Sequence, residues 1–140
     1  MSRLGELLVR ENLISLAQLQ KAQEEQRKSG TRLGYSLTKL GIINEEDLTT
    51  FLSKQYGVPS INLAEFEISN EVIQLVPPEL AKRHQLIPVN RAGATLIVVM
   101  SDPSNIYVID DLKFRTGLNI EVVVVSEVVI DEAIICYYEW

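Results

Sequence analysis

Over the first 55 residues the apolar positions recur at helical spacing. Leu4, Leu7 and Leu8 follow the i, i+3, i+4 rhythm of one helix face, and the run stops at Asn12, a residue that tolerates the left-handed backbone of a helix end. Ser15 followed three residues later by Gln18 has the form of a capping box, so a second helix starts there. The pattern then returns, with Gly41 at the corner and Asn44 with Asp47 at the next helix start. Four helices are predicted, at 3–11, 16–28, 32–40 and 45–55, with Gly30 and Gly57 as stops. Beyond Tyr56-Gly57-Val58-Pro59 the helical rhythm gives way to mixed structure. An extended piece is expected at 61–63, a helix at 70–75, another after Pro77-Pro78, and a strand at 86–89. Asn90-Arg91-Ala92-Gly93 reads as a turn into a strand at 95–100, forming a hairpin. Asp102-Pro103-Ser104-Asn105 then starts a helix through Phe114, ended by Gly117; a β-branched strand at 120–125 and a last helix at 127–138 follow.

The four helices are two copies of one block. Arg3 to Gln26 and Arg32 to Gln55 are each 24 residues long, and residues 27–31 separate them. Both open with Arg-Leu-Gly (Arg3, Leu4, Gly5 and Arg32, Leu33, Gly34) and both close on Gln, Gln26 and Gln55. Between these, Leu8 matches Leu37, Leu13 matches Ile42, Ile14 matches Ile43 and Leu19 matches Leu48, all at a 29-residue period. A period that preserves an Arg, a Gly and a Gln as well as core positions repeats a surface in addition to a core. The expected fold is therefore α+β: a helical subdomain of two helix-turn-helix repeats at 1–57, then a small α/β subdomain with a three- or four-stranded sheet at 58–140.

Composition narrows the function. At 140 residues with 46% apolar and 23% charged side chains the chain suits one ordinary domain or two small subdomains. No apolar run approaches the roughly 20 residues of a membrane span, and the start shows no secretory signal, so a cytoplasmic location is expected. One cysteine, Cys136, cannot form an internal disulfide, and one histidine, His84, leaves no cluster of soft ligands, so neither a metal nor a cofactor is expected. Cys136 reads as core on the apolar face of the last helix. Charge is uneven: residues 1–55 hold eight basic and seven acidic side chains, and residues 56–140 hold five and twelve. That balance lacks the basic face of a DNA-binding protein, and no direct DNA binding is expected. No Gly is followed by Lys-Ser or Lys-Thr, so the chain has no phosphate loop, and no pairing of nucleophile and base points to catalysis.

An Arg beside a helix N-terminus makes an anion site, and a guanidinium can hold phosphate or a guanine edge through paired hydrogen bonds. Equally, each Leu can be core, each Gly a point of close helix approach and each Arg a solvated charge. Duplication at a fixed period, each copy closing on a Gln, favours a ligand that itself has two equivalent halves.

The tandem Arg-Leu-Gly, paired aliphatics, corner and closing Gln resemble the MshEN domain of type II secretion and type IV pilus assembly ATPases. Residues 58–140, with Ile87-Pro88-Val89, Met100-Ser101-Asp102-Pro103 and the ending from Ala133-Ile134 to Tyr138, are similar to the rest of that N-terminal region. The resemblance implies a non-catalytic module that clasps cyclic di-GMP, each motif gripping one half. It assigns Arg3 and Arg32 to phosphate or guanine, Gly5 and Gly34 to close backbone approach, and Gln26 and Gln55 to hydrogen bonds. It makes Leu4, Leu19, Leu33, Leu48 and Leu52 apolar walls, and Asp102 a residue that closes over the site. Three positions depart from the pattern: Gln23 stands where block two has Leu52, Tyr35 stands where an acidic residue is implied, and, more mildly, Asn12 stands for Gly. Loss of one buried aliphatic contact costs roughly 1.5 kcal/mol, about tenfold in affinity. The implied partners are an ATPase motor domain in cis or in trans and the cytoplasmic part of an inner-membrane secretion or pilus platform protein, placing the chain peripherally at that membrane. The alternative is a protein-docking module for that platform with weak or no nucleotide binding, which Gln23 and Tyr35 favour.

Overall fold

A computed structural model describes residues 3–30 and 32–138, with the side chain of Arg3 outside the described part. The chain has an α+β fold, a helical N-terminal part followed by a small sheet with its own helices. The first helices are α1 (Arg3–Arg10), α2 (Leu16–Ser29), α3 (Leu33–Lys39) and α4 (Glu45–Tyr56). After them come a 3-10 turn (Leu63–Glu65), α5 (Asn70–Ile73), α6 (Pro78–His84), β1 (Leu86–Ala92), β2 (Thr95–Met100), α7 (Ile106–Thr116), β3 (Asn119–Val124) and α8 (Glu127–Tyr138).

The two blocks share their local geometry. In block one the Leu13 amide donates to the Leu8 carbonyl and the Asn12 amide to that of Val9, both at 3.0 Å. In block two Ile42 donates to Leu37 at 3.0 Å and Gly41 to Thr38 at 3.1 Å. This is the Schellman arrangement, which needs a left-handed residue just past the helix. Asn12 and Gly41 supply it at φ 60° and 73°. The next helices are capped in corresponding ways. Ser15 Oγ accepts the Gln18 amide at 3.1 Å while Gln18 Oε1 accepts the Ser15 amide at 2.8 Å, and Asn44 Oδ1 accepts the Asp47 amide at 2.7 Å. Gly30 ends α2 at φ 70° and Gly57 follows α4 at φ 66°.

Contacts divide the chain into compact units at 1–48 and 49–140, so α4 runs across the division, whereas the second block of the repeat ends at Gln55. In the first unit α1, α2 and α3 pack together around Leu8, Ile14, Leu19, Ala22, Leu33 and Leu37. A 3.6 Å ion pair between Lys39 and Glu25 links α3 to α2 at the surface.

In the second unit the sheet order is β1-β2-β3, with β2 central. β1 pairs antiparallel with β2, from Leu86 opposite Met100 to Ala92 opposite Thr95. The register slips between Pro88 and Asn90, leaving Val89 as an extra residue. Pro88 lacks an amide to donate, and an edge strand with a bulge is where a sheet accommodates that. β2 and β3 are parallel, from Thr95 opposite Asn119 to Met100 opposite Val124, with α7 as the crossover. Leu86, Ile87, Leu96, Val98, Val99, Leu112 and Ile130 fill the core beneath.

Two expectations are corrected. The extended piece at 61–63 is instead a single bridge from Ser60 to Val124 followed by the 3-10 turn, because Asn62 Oδ1 caps the Ala64 amide at 3.2 Å and bends the chain. The helix started by the 102–105 run is as expected: Asn105 Oδ1 caps the Val108 amide at 3.3 Å and α7 begins at Ile106. Cys136 is exposed. It lies two residues past buried Ile134, about 200° round the helix, so it faces away from the core that Ile130 and Ile134 enter. The end of α8 is anchored by polar contacts: the Ile68 amide donates to Tyr137 Oη at 3.3 Å, and Tyr138 Oη donates to the carbonyls of Ile73 and Val76 at 3.2 Å. Glu139 and Trp140 of the expected ending lie outside the described residues.

Candidate functional site

Arg32 occupies the N-cap of α3 with extended backbone, φ −77° and ψ 157°, and its carbonyl accepts the Ser36 amide at 3.1 Å. Its side chain is exposed and makes no capping hydrogen bond. The chain therefore enters α3 with the guanidinium at the surface, while the next two residues, Leu33 and Gly34, are buried. Arg3 begins α1 in the corresponding place; its side chain lies outside the described residues. Leu4 is half-buried and Gly5 is buried.

Gly5 sits where helices meet. A Cβ on Gly5 would stand 2.5 Å from Leu19 Cδ1 and 3.0 Å from Leu33 Cδ2. The structure thus brings Gly5, Leu19 and Leu33, three residues expected at the site, into one packed cluster that joins both blocks. Leu48 and Leu52 are also buried, at positions i and i+4 of α4, and Gln55 follows at i+7 with its side chain exposed. Leu19, Gln23 and Gln26 repeat that spacing on α2, where Gln23 and Gln26 are half-buried. Four of the five expected wall leucines therefore sit in the core, and the polar groups at the surface are Arg32 and Gln55, with Gln26 partly exposed. Tyr35 is half-buried.

Asp102 is exposed, and its Oδ1 accepts the Ser104 amide at 3.1 Å and the Ser104 hydroxyl. These bonds shape the turn before α7. Guanidinium and carboxamide groups recognise and hold a ligand; neither supplies a nucleophile or a general base.

The sequence reading passed over two features of the second unit. On α7, Ile106, Tyr107 and Phe114 are exposed, Tyr107 at 83% and Phe114 at 88%. Tyr107, Asp110 and Phe114 lie at i, i+3 and i+7, hence on one face. A helix run of mixed Ile, Tyr and Phe signals core by composition, so only the packing of Val108 and Leu112 inward reveals the outer aromatic face. The second feature is an open groove lined by Ile68, Asn70, Ile73, Cys136 and Tyr137, which contains none of the expected ligand residues. Among the described residues no helix is long and apolar enough to cross a membrane.

The MshEN domain family model matches residues 56–139, more than half of the chain. The chain belongs to the MshEN family. It is 65% identical over 136 residues to the type IV pilus assembly ATPase PilB of Myxococcus xanthus, an alignment covering 97% of this chain and 24% of that protein. The chain thus spans about a quarter of the length of that relative. Among solved structures it is similar to MshE with cdg, at TM-score 0.67 and 33% identity, over 99% of this chain and 100% of that one. It is also similar to the N-terminal domain of XpsE, at TM-score 0.70 and 25% identity, covering 97% and 94%. The family match begins one residue after Gln55, so the tandem blocks precede it; the likeness to MshE and to the XpsE domain takes in the blocks as well.

Proposed function

We propose that this chain is the regulatory N-terminal module of a type IV pilus or type II secretion ATPase, and that it binds cyclic di-GMP through its two Arg-Leu-Gly motifs and their closing glutamines. The observation that carries this reading is the duplicated block, which keeps both arginines, both glycines and both glutamines over a 29-residue period. The corners and caps match as well. A two-fold repeated surface suits a ligand with two equivalent guanosine halves joined by phosphates. MshE, similar over nearly the whole chain, was solved with cdg, which supports the choice of ligand. In this reading Arg3 and Arg32 meet phosphate or guanine and Gln26 and Gln55 hydrogen-bond the ligand. Leu4, Leu19, Leu33, Leu48 and Leu52 form an apolar floor that is already packed before the ligand arrives. Gly34 gives close backbone. The bound state is passed to an ATPase motor, in cis or in trans, on the cytoplasmic side of the inner membrane.

Calorimetric titration with cyclic di-GMP, beside GTP and the Arg32→Ala variant, tests it. The expected result is saturable binding near one ligand per chain, absent for GTP and lost in Arg32→Ala with the fold intact. Retained affinity in that variant would sink the site. Binding should also fall only weakly with salt, because the first half is close to neutral and the contacts are local.

A second reading, docking to the cytoplasmic part of an inner-membrane platform protein, is favoured by the exposed Tyr107 and Phe114 face of α7. Exposed aromatics clustered on one helix are the kind of anchor that protein interfaces use. Its mark is binding to the purified platform domain that Tyr107→Ala with Phe114→Ala removes and Arg32→Ala does not.

A further inference from the structure

We infer that Gly5 is a positioning residue, one that sets the spacing between the two Arg-Leu-Gly openings without touching the ligand itself. The inference rests on the cyclic di-GMP reading and deepens it. Gly5 is buried within α1, and the nearest atoms to a Cβ placed there are Leu19 Cδ1 at 2.5 Å, Leu33 Cδ2 at 3.0 Å and Leu19 Cδ2 at 3.3 Å. One neighbour belongs to its own block and the other to the second block. Leu33 is also the residue next to Arg32, and Gly5 lies two residues from Arg3. The contact thus ties the residue beside one arginine to the helix that carries the other. Direct use of Gly5 as an open stretch of backbone for a ligand does not fit this place, since leucine side chains already occupy the space over it.

A methyl group at position 5 meets both terminal methyls of Leu19, at 2.5 and 3.3 Å, and Leu33 Cδ2 at 3.0 Å, so it fits only if the Leu19 side chain or its helix moves. Leu19 and Leu33 are themselves buried. In closely packed interiors such an overlap moves whole elements, so α1 shifts away from α3 and carries Arg3 out of register with Arg32. A ligand that needs both motifs at once is sensitive to that shift even though neither arginine has changed.

The test is a double-mutant cycle of Gly5→Ala and Leu19→Ala, read by cyclic di-GMP affinity and by methyl NMR of the leucines. Gly5→Ala is expected to weaken binding at least tenfold in the parent and less than threefold on top of Leu19→Ala, where the cavity accepts the added methyl. In the parent it is expected to displace the Leu33 methyl resonances, and in the Leu19→Ala background to leave them in place. An equal loss of affinity in both backgrounds would make Gly5 a direct ligand contact and overturn the inference, as would unchanged affinity in both. If the parent binds no cyclic di-GMP, the ligand reading fails by itself and the Leu33 methyl shifts decide the positioning role: displacement relieved by Leu19→Ala upholds it, and unmoved Leu33 methyls reject it.

Discussion

The two units of this chain are held by different kinds of interaction. In the tandem blocks nearly every feature of the chain path is settled within about five residues: the Schellman corners at Asn12 and Gly41, the caps at Ser15 and Asn44, the stop at Gly30. In the α/β unit the decisive contacts are distant. Leu86 meets Met100 across a hairpin, Met100 meets Val124 across a helical crossover, and Tyr138 reaches back to the carbonyls of Ile73 and Val76. A unit built from local signals can be copied whole, which is how one block could serve twice. A unit built from distant pairings has to be right as a whole before any of it is stable.

The largest test of that contrast is a cavity placed in each core. Leu96 on the central strand and Leu37 on α3 are both fully buried. Leu96→Ala is expected to cost about 4 kcal/mol, because sheet hydrogen bonds on both sides prevent collapse around the hole, and Leu37→Ala about 2.5 kcal/mol, because short helices can close partly over it. Chemical denaturation of the two variants measures both, and equal costs would erase the proposed difference.

A smaller effect is expected at the far end of α8. Tyr138→Phe leaves two carbonyls without their shared hydroxyl donor and should cost about 2 kcal/mol. Burial holds the Tyr138 phenol well above its ordinary ionisation. The folded state therefore keeps that proton more tightly than the unfolded chain. Stability from it is complete below the ordinary phenol pKa of about 10 and drains away as pH rises past that value. Denaturation midpoints between pH 8 and pH 11 should fall less steeply in Tyr138→Phe than in the parent; parallel curves would show that the phenol is not the group responsible.

The smallest effects sharpen the comparison from the local side. Gly41→Ala forces a side chain into the left-handed region and should cost about 1.5 kcal/mol, and Ser15→Ala, which removes a complete capping box, about 1 kcal/mol. Asn12→Gly should stay within about 0.5 kcal/mol of the parent, since both residues accept the same backbone. Thermal unfolding of the three variants checks the order. A large loss in Asn12→Gly would mean that the Asn side chain does more at that corner than permit its conformation.

Legibility in the sequence followed the same division. The four helices of the blocks, their corners and the Ser15 cap could be read directly, because each depends on residues within one or two turns. The start of α7 within the 102–105 run is legible too, but Asp102 and Asn105 are both good caps and only the packing of Val108 and Leu112 inward selects Asn105. The exposure of Cys136 is not legible, because α8 is apolar almost all round and composition does not choose its buried side. For the candidate site, residue types and spacing were legible. The burial of Leu19, Leu33, Leu48 and Leu52 was not, because a ligand-facing leucine and a core leucine have the same periodicity.

By itself the sequence determined what neighbouring residues can decide: helix ends, left-handed corners, the duplicated block and the strand-forming runs. These follow from backbone conformational preference and from hydrogen bonds closed within a few residues. Tertiary structure alone decided the parallel pairing of β2 with β3, the bulge at Val89, the outward aromatics of α7 and the meeting of Gly5 with Leu33. Each of these depends on which distant surface arrives to exclude water, and packing at fixed volume admits only one such partner where local pattern admits several.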